Sequence, residues 1–140
     1  MRKISTFSII DDDELFQFTI KKIIQSTGLV NRVLQFNNGK TALNYFAENQ
    51  EVSSVLPDII FLDLNMPVMN GWQFLEAFLD LNYPKKAVTI YICTSSVNPK
   101  DYEMYKKFST VSGYLVKPLS KTEIYEILDG EIHQETPFLF

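Results

Sequence analysis

The stretch Asp58-Ile59-Ile60-Phe61-Leu62-Asp63-Leu64-Asn65-Met66-Pro67 decides the fold. Ile59 to Leu62 is an unbroken apolar run, the pattern of a strand buried on both faces of a parallel sheet. A carboxylate follows at once. Asp63 therefore belongs where the backbone leaves the sheet, at the strand's C-terminal end, and that edge is where open α/β sheets bind ligands. Pro67 blocks further regular structure. Asn70-Gly71 then turns the chain before a helical pattern that opens at Trp72. A lone aspartate in such a place is most often a solvated residue finishing a strand. Its company elsewhere in the chain decides otherwise.

The same strand-then-helix unit recurs on either side. Ser5–Ile10 reads as a first strand closed by Asp11-Asp12-Asp13-Glu14. Leu15, Phe16, Phe18, Ile20, Ile23 and Ile24 follow at helical spacing, with Lys21 and Lys22 outward and Gly28 as the stop. Arg32–Phe36 is a short second strand, turned by Asn37-Asn38-Gly39 into a helix over Thr41–Ala47, and Glu48–Pro57 reads as a loop. Gly71–Leu81 is the helix after the central strand, and Asn82-Tyr83-Pro84-Lys85-Lys86 punctuates. Val88–Cys93 is a fourth strand ending in Thr94-Ser95-Ser96, and Asn98–Phe108 a fourth helix with Pro99 suited to its first turn. Gly113–Val116 is a fifth strand running into Lys117-Pro118. Ser120 caps a fifth helix to Leu128, with Glu123 three residues on. After Gly130 the tail Glu131–Phe140 shows no period.

Five strands alternating with five helices predict an α/β fold, a doubly wound five-stranded parallel sheet with helices on both faces. Right-handed crossovers bring every strand's C-terminal end to one edge. Asp11, Asp12, Asp63, Thr94 and Lys117 all fall on it.

Composition bounds the rest. The 140 residues, 46% of them hydrophobic, suit one packed domain, with its core at about 4–129 and a C-terminal tail at 130–140. The net charge of −4 argues against a chain built to hold nucleic acid or an anionic membrane surface. The single cysteine, Cys93, excludes an intrachain disulfide and reads as a small buried hydrophobe. The acidic run follows Met1 too closely for a signal peptide, and no apolar run is long enough to span a bilayer, so a soluble, cytoplasmic protein is expected.

Three carboxylates crowded at one edge raise one another's pKa values unless a cation compensates. Hard divalent ions favour such oxygen ligands, and Mg²⁺ characteristically keeps waters and shares a phosphate oxygen. Lys117 adds a mobile point charge with donors, and Thr94 a hydroxyl. Metal, ammonium and hydroxyl around one free carboxylate suit an anion attached to it, namely an aspartyl phosphate. Each element is weak alone: an acidic pair often just starts a helix, and Lys-Pro is a frequent dipeptide. Four in order, each at a strand end, are hard to reach by chance.

Asp11-Asp12, Leu62-Asp63-Leu64-Asn65-Met66-Pro67, Asn70-Gly71, Thr94-Ser95 and Gly113-Tyr114-Leu115-Val116-Lys117-Pro118 together resemble the signature of response-regulator receiver domains, over roughly residues 4–129. The resemblance implies the flavodoxin-like strand order 2-1-3-4-5. It implies that Asp63 is the phosphoacceptor and that Asp11 and Asp12 are the metal-binding pair, with Asp63 itself and the Asn65 backbone carbonyl completing the ligands to Mg²⁺, or to Mn²⁺ in its place. Lys117 matches the lysine that pairs with the phosphoryl group, Thr94 the switch hydroxyl, and Tyr114 the switch aromatic, exposed before phosphorylation and turned inward after it. Asn65 and Ser96 match positions that tune dephosphorylation. Asp13, beyond the motif, is expected only to start the helix. Phe36-Asn37-Asn38-Gly39, Tyr91 and Cys93 depart slightly from the family pattern, away from the site.

The implied partners are a sensor histidine kinase or phosphotransfer protein and an unidentified downstream protein. The output surface would include Tyr114 and the fourth helix (Asp101, Tyr102, Tyr105, Lys106), in a monomer or weak homodimer. With no residues for an output domain after Leu128, a stand-alone receiver is expected. Two rivals remain. A pseudo-receiver would bind partners without taking phosphate, against which the complete residue set counts. A Mg²⁺-dependent phosphohydrolase would need a second Asp two residues after the nucleophile, where Asn65 stands. His133 is expected to be a solvent-exposed side chain, and Phe138-Leu139-Phe140 is an apolar tip that either folds back or frays.

Overall fold

The structure, a computed structural model, describes residues 3–52, 55–81 and 87–133. The punctuation at 82–86 and the apolar tip at 138–140 lie outside these residues. The elements run β1 (Ile4–Ile10), α1 (Glu14–Thr27), β2 (Val30–Phe36), α2 (Gly39–Glu48), β3 (Ile59–Leu62), α3 (Gly71–Asp80), β4 (Thr89–Thr94), α4 (Pro99–Lys107), β5 (Val111–Val116) and α5 (Lys121–His133). The strands form one parallel sheet in the order β2-β1-β3-β4-β5, as the sequence predicts.

Every residue of β3 is buried, because β3 is central and covered on both faces. One face carries Ile10, Ile60, Leu62, Ile90 and Ile92 against Phe46, Phe74 and Phe78 of α2 and α3. The other carries Phe7, Ile9, Ile59 and Phe61 against Ile20 and Ile24 of α1 and Ile124 and Leu128 of α5. Burying a side chain of this size stabilises by roughly 1.5–3 kcal/mol, so these two layers hold the strand ends in register.

Three elements differ from the expectation. α5 continues through Gly130 to His133, where the tail was expected to lose its pattern. Tertiary contacts outweigh the glycine: Ile132 packs on the α1/α5 layer, and Glu131 accepts a hydrogen bond from the Thr89 hydroxyl at 2.9 Å. β5 starts at Val111, two residues early, because the pairing slips between Ile90 and Tyr91 so that Gly113 lies opposite Tyr91. A Cβ on Gly113 would come within 2.9 Å of the Tyr91 ring. The bulky ring that departs from the family pattern is thus housed by a glycine on the next strand. β2 likewise starts two residues early, at Val30, whereas the segment after α2 is a loop as expected and contributes the fully buried Leu56 to the core.

Candidate functional site

Three of the functional side chains stand one residue past the end of a strand, and in each case a main-chain bond extends the ladder by that residue. Asp11 N–H donates to Phe36 O (3.0 Å), Asp63 N–H to Ile10 O (2.9 Å) and Lys117 N–H to Thr94 O (2.9 Å). The sheet therefore fixes the Cα positions, and only the side chains remain to be oriented. Behind them Gln17, buried on α1, donates its amide to Ile9 O, Asp11 O and Phe36 O, tying the ends of β1 and β2 to the helix. Asp13 is the N-cap of α1, accepting from Leu15 N–H and Phe16 N–H, a structural role as expected.

Carboxylate oxygens of Asp11, Asp12 and Asp63 lie within 4.8 Å of one another; Asp11 and Asp63 are buried and Asp12 is exposed. Lys117 Nζ stands 2.7 Å from Asp11 Oδ2 and 3.9 Å from Asp63 Oδ1. The ammonium therefore lies nearer Asp11 than Asp63. It also lies over the Phe16 ring, 4.2 Å from the centroid. Asp63 Oδ1 accepts from Leu64 N–H (2.9 Å), and Asp11 Oδ1 from Asp13 N–H (2.9 Å).

These contacts do not offset the crowding. Burial, followed by the Asp11 carboxylate, pushes the Asp63 pKa up to about 7 against the opposing pull of Lys117. Burial also raises Asp11, in spite of its bond to Lys117. One ammonium faces three carboxylates, two of them buried. Converging oxygens with uncompensated negative charge are what a hard divalent cation requires, so the residues present fit such an ion.

The site's floor is the start of α3. Gly71 N–H donates to Leu64 O (2.9 Å), and a Cβ there would sit 2.4 Å from Asp63 O. Only glycine allows the helix so close under the aspartate. Asn65 is exposed in the same loop, two residues beyond Asp63.

The remaining expected residues lie on the flank. Thr94 is fully buried at the end of β4, its Oγ1 accepting from Ser96 N–H at 3.0 Å. Tyr114 shares that sheet face two residues back along the β4–β5 ladder. Its ring is half-buried rather than exposed, because it packs against Tyr102 and Tyr105 of α4, with centroids 5.6 and 5.5 Å away. The Ser96 hydroxyl donates to Asp101 Oδ2 at 2.7 Å, while Asp101 Oδ1 accepts from Trp72 Nε1 at 3.1 Å. Asp101 thus joins the β4–α4 loop to α3, a connection that its surface position on a helix pattern did not reveal. His133 is exposed at the end of α5, as expected, near Asp129. No described helix is long and apolar enough to cross a membrane.

A parallel 2-1-3-4-5 sheet with an acidic cluster and a lysine at its C-terminal edge defines a class of α/β signalling domain. The chain belongs to the response regulator receiver domain family, whose model matches residues 7–129. A two component response regulator from Cytophaga hutchinsonii superposes with a TM-score of 0.82 at 28% identity, covering 94% of this chain and 99% of that one. The probable methanogenesis regulatory protein FilR2 of Methanothrix harundinacea is 26% identical over 80% of this chain and 71% of its own. The autoinducer 1 sensor kinase/phosphatase LuxN of Vibrio campbellii is 25% identical over 94% of this chain but only 14% of its own length. Relatives therefore include both regulators and a sensor kinase. The protein is a receiver domain of two-component signalling.

Proposed function

We propose that Asp63 accepts a phosphoryl group from a phosphohistidine on a sensor histidine kinase or phosphotransfer protein, making the domain a phosphorylation-controlled switch. The observation that supports this reading is the meeting of Asp63 with Asp11, Asp12 and Lys117 at one sheet edge. The Asp63 carboxylate attacks phosphorus in line, the P–N bond breaks, and the electron pair leaves with the imidazole. Mg²⁺, held by Asp11, Asp12, Asp63 and the Asn65 carbonyl, would neutralise charge on the phosphoryl oxygens and keep Asp63 ionised.

Lys117 moves from Asp11 toward a phosphoryl oxygen, a short displacement because its Nζ already lies between the two carboxylates. The buried Thr94 hydroxyl turns to the new anion and gives up the Ser96 amide. That bond and the Ser96–Asp101 bond belong to one loop, so its movement reaches α4 directly. Tyr114, held by Tyr102 and Tyr105, repacks with it, and the α4–β5–α5 face presents a different surface to a protein target. Asn65, beside Asp63, and Ser96 set how fast water removes the phosphoryl group.

Intact mass after incubation with acetyl phosphate and Mg²⁺ tests this. A gain of about 80 Da, the mass of one phosphoryl group, is expected for the wild type and not for Asp63→Asn or an EDTA control. No gain under any condition would replace this reading with that of an interaction module that never carries phosphate.

A further inference from the structure

We propose that Phe16 is a positioning residue for Lys117: its ring face seats the ammonium between Asp11 and Asp63 while leaving the hydrogen-bond donors free. The inference rests on the reading of Lys117 as the cation that meets the phosphoryl oxygens.

The Nζ has neighbours of two kinds, the carboxylate oxygens Asp11 Oδ2 at 2.7 Å and Asp63 Oδ1 at 3.9 Å, and the Phe16 ring centroid at 4.2 Å. The ring is the rigid one. Phe16 lies in the first turn of α1, its N–H fixed to the Asp13 cap at 3.1 Å, and only 9% of the residue is exposed within the layer that also holds Phe7 and Ile20. Lysine, by contrast, brings its charge on a flexible four-carbon stem. A ring under the ammonium attracts it through the quadrupole and occupies no N–H. All three donors stay available to the carboxylates and to an arriving anion. This hold persists when a cation draws on Asp11, or when phosphorylation moves the negative charge from the Asp63 carboxylate to phosphoryl oxygens. Leucine would fill much of the same space without the quadrupole. Tyrosine would keep it.

Acetyl phosphate labelling rates in saturating Mg²⁺ would be compared for wild type, Phe16→Leu and Phe16→Tyr, together with NMR shifts of the Lys117 ε-methylene protons. Phe16→Leu is expected to slow labelling roughly threefold to tenfold, the range of a partly desolvated cation–π contact, and Phe16→Tyr to restore it. The ε protons should be shifted upfield by the ring in the wild type and in Phe16→Tyr, and lose that shift in Phe16→Leu. Equal rates for wild type and Phe16→Leu would overturn the proposal. So would a loss that tyrosine does not restore, since that marks packing alone, or unshifted ε protons in the wild type. A wild type that takes no phosphoryl group refutes the phosphoacceptor reading first, and the role of Phe16 in that transfer falls with it.

Discussion

Replacing Asp63 by asparagine should stabilise the domain in the absence of divalent cations, by an amount that grows with pH. Burial, with the Asp11 carboxylate second, lifts the Asp63 pKa from 3.8 to about 7. Between those values the folded state keeps a proton that the unfolded chain has released. Wild-type stability therefore falls as pH rises through this window, and the loss is complete above the folded pKa. A shift of about three units sets a ceiling of about 4 kcal/mol. Asp11 is raised in the same direction, and relaxation around the pair absorbs part of the effect, leaving about 2–3 kcal/mol. Asparagine carries no charge at any pH. In EDTA at about pH 8 the variant should thus melt roughly 5–10 °C above the wild type, with the gap closing toward about pH 4. Millimolar Mg²⁺ should raise the wild-type midpoint far more than that of the variant and so narrow the gap. Thermal melts followed by circular dichroism, with EDTA or Mg²⁺ across this pH range, give all four comparisons. A gap that is constant with pH, or that widens on acidification, would refute the electrostatic account of the cluster.

Two further outcomes follow from contacts around the site. Gly71→Ala would drive a Cβ to 2.4 Å from Asp63 O and 2.9 Å from the Leu64 Cα, both main-chain atoms, so no side chain can give way. A loss of about 3 kcal/mol is expected in urea denaturation, and a variant as stable as wild type would show that the α3 approach is looser than described. Asp101→Asn keeps the shape but weakens two charge-assisted bonds, to Ser96 and to Trp72. It should cost about 1–2 kcal/mol and speed amide exchange over residues 99–107. The emission of Trp72, the chain's single tryptophan, should shift with it. Unchanged exchange and emission would mean that Asp101 does not brace α4.

Much of this was legible in the sequence because it depends on local pattern. An apolar run followed by Asp63 can only be a buried strand meeting an edge, and alternation of strands and helices leaves little freedom in topology. Hence the meeting of Asp11, Asp12, Asp63 and Lys117 at one edge was readable, since strand ends converge whatever the side chains do. Which partner each side chain chooses was not. Lys117 lies nearer Asp11, 2.7 Å away, than Asp63, 3.9 Å away, and that choice depends on segments far apart in the sequence. Phe16 read as one of six apolar residues on α1, and nothing in helical spacing separates a ring beneath an ammonium from a ring in the core. Asp101 read as a surface charge because its partners, Ser96 and Trp72, come from two other segments. The end of α5 was missed for the opposite reason: Gly130 is a sound local stop, overridden by Ile132 and Glu131, which find their contacts on the far side of the chain.

The same separation runs through the proposed switch. α4 contributes no buried residue to the core and is held by aromatic rings and by Asp101. α1, α3 and α5 each bury apolar side chains in the two layers. α4 meets the α2/α3 layer only through partly buried side chains such as Tyr105, so displacing it forfeits less than the roughly 1.5–3 kcal/mol of each fully buried apolar side chain. The acidic cluster supplies the opposing element, a charge imbalance at the rigid strand ends that the proposed cation and phosphoryl group would alter. The buried Thr94 at the end of β4 accepts from Ser96 N–H, and in the β4–α4 loop Ser96 in turn donates its hydroxyl to Asp101 of α4. On the proposed reading a change of charge at Asp63 would pass along that loop, and α4, which among the described helices has no fully buried side chain, would be the element to move.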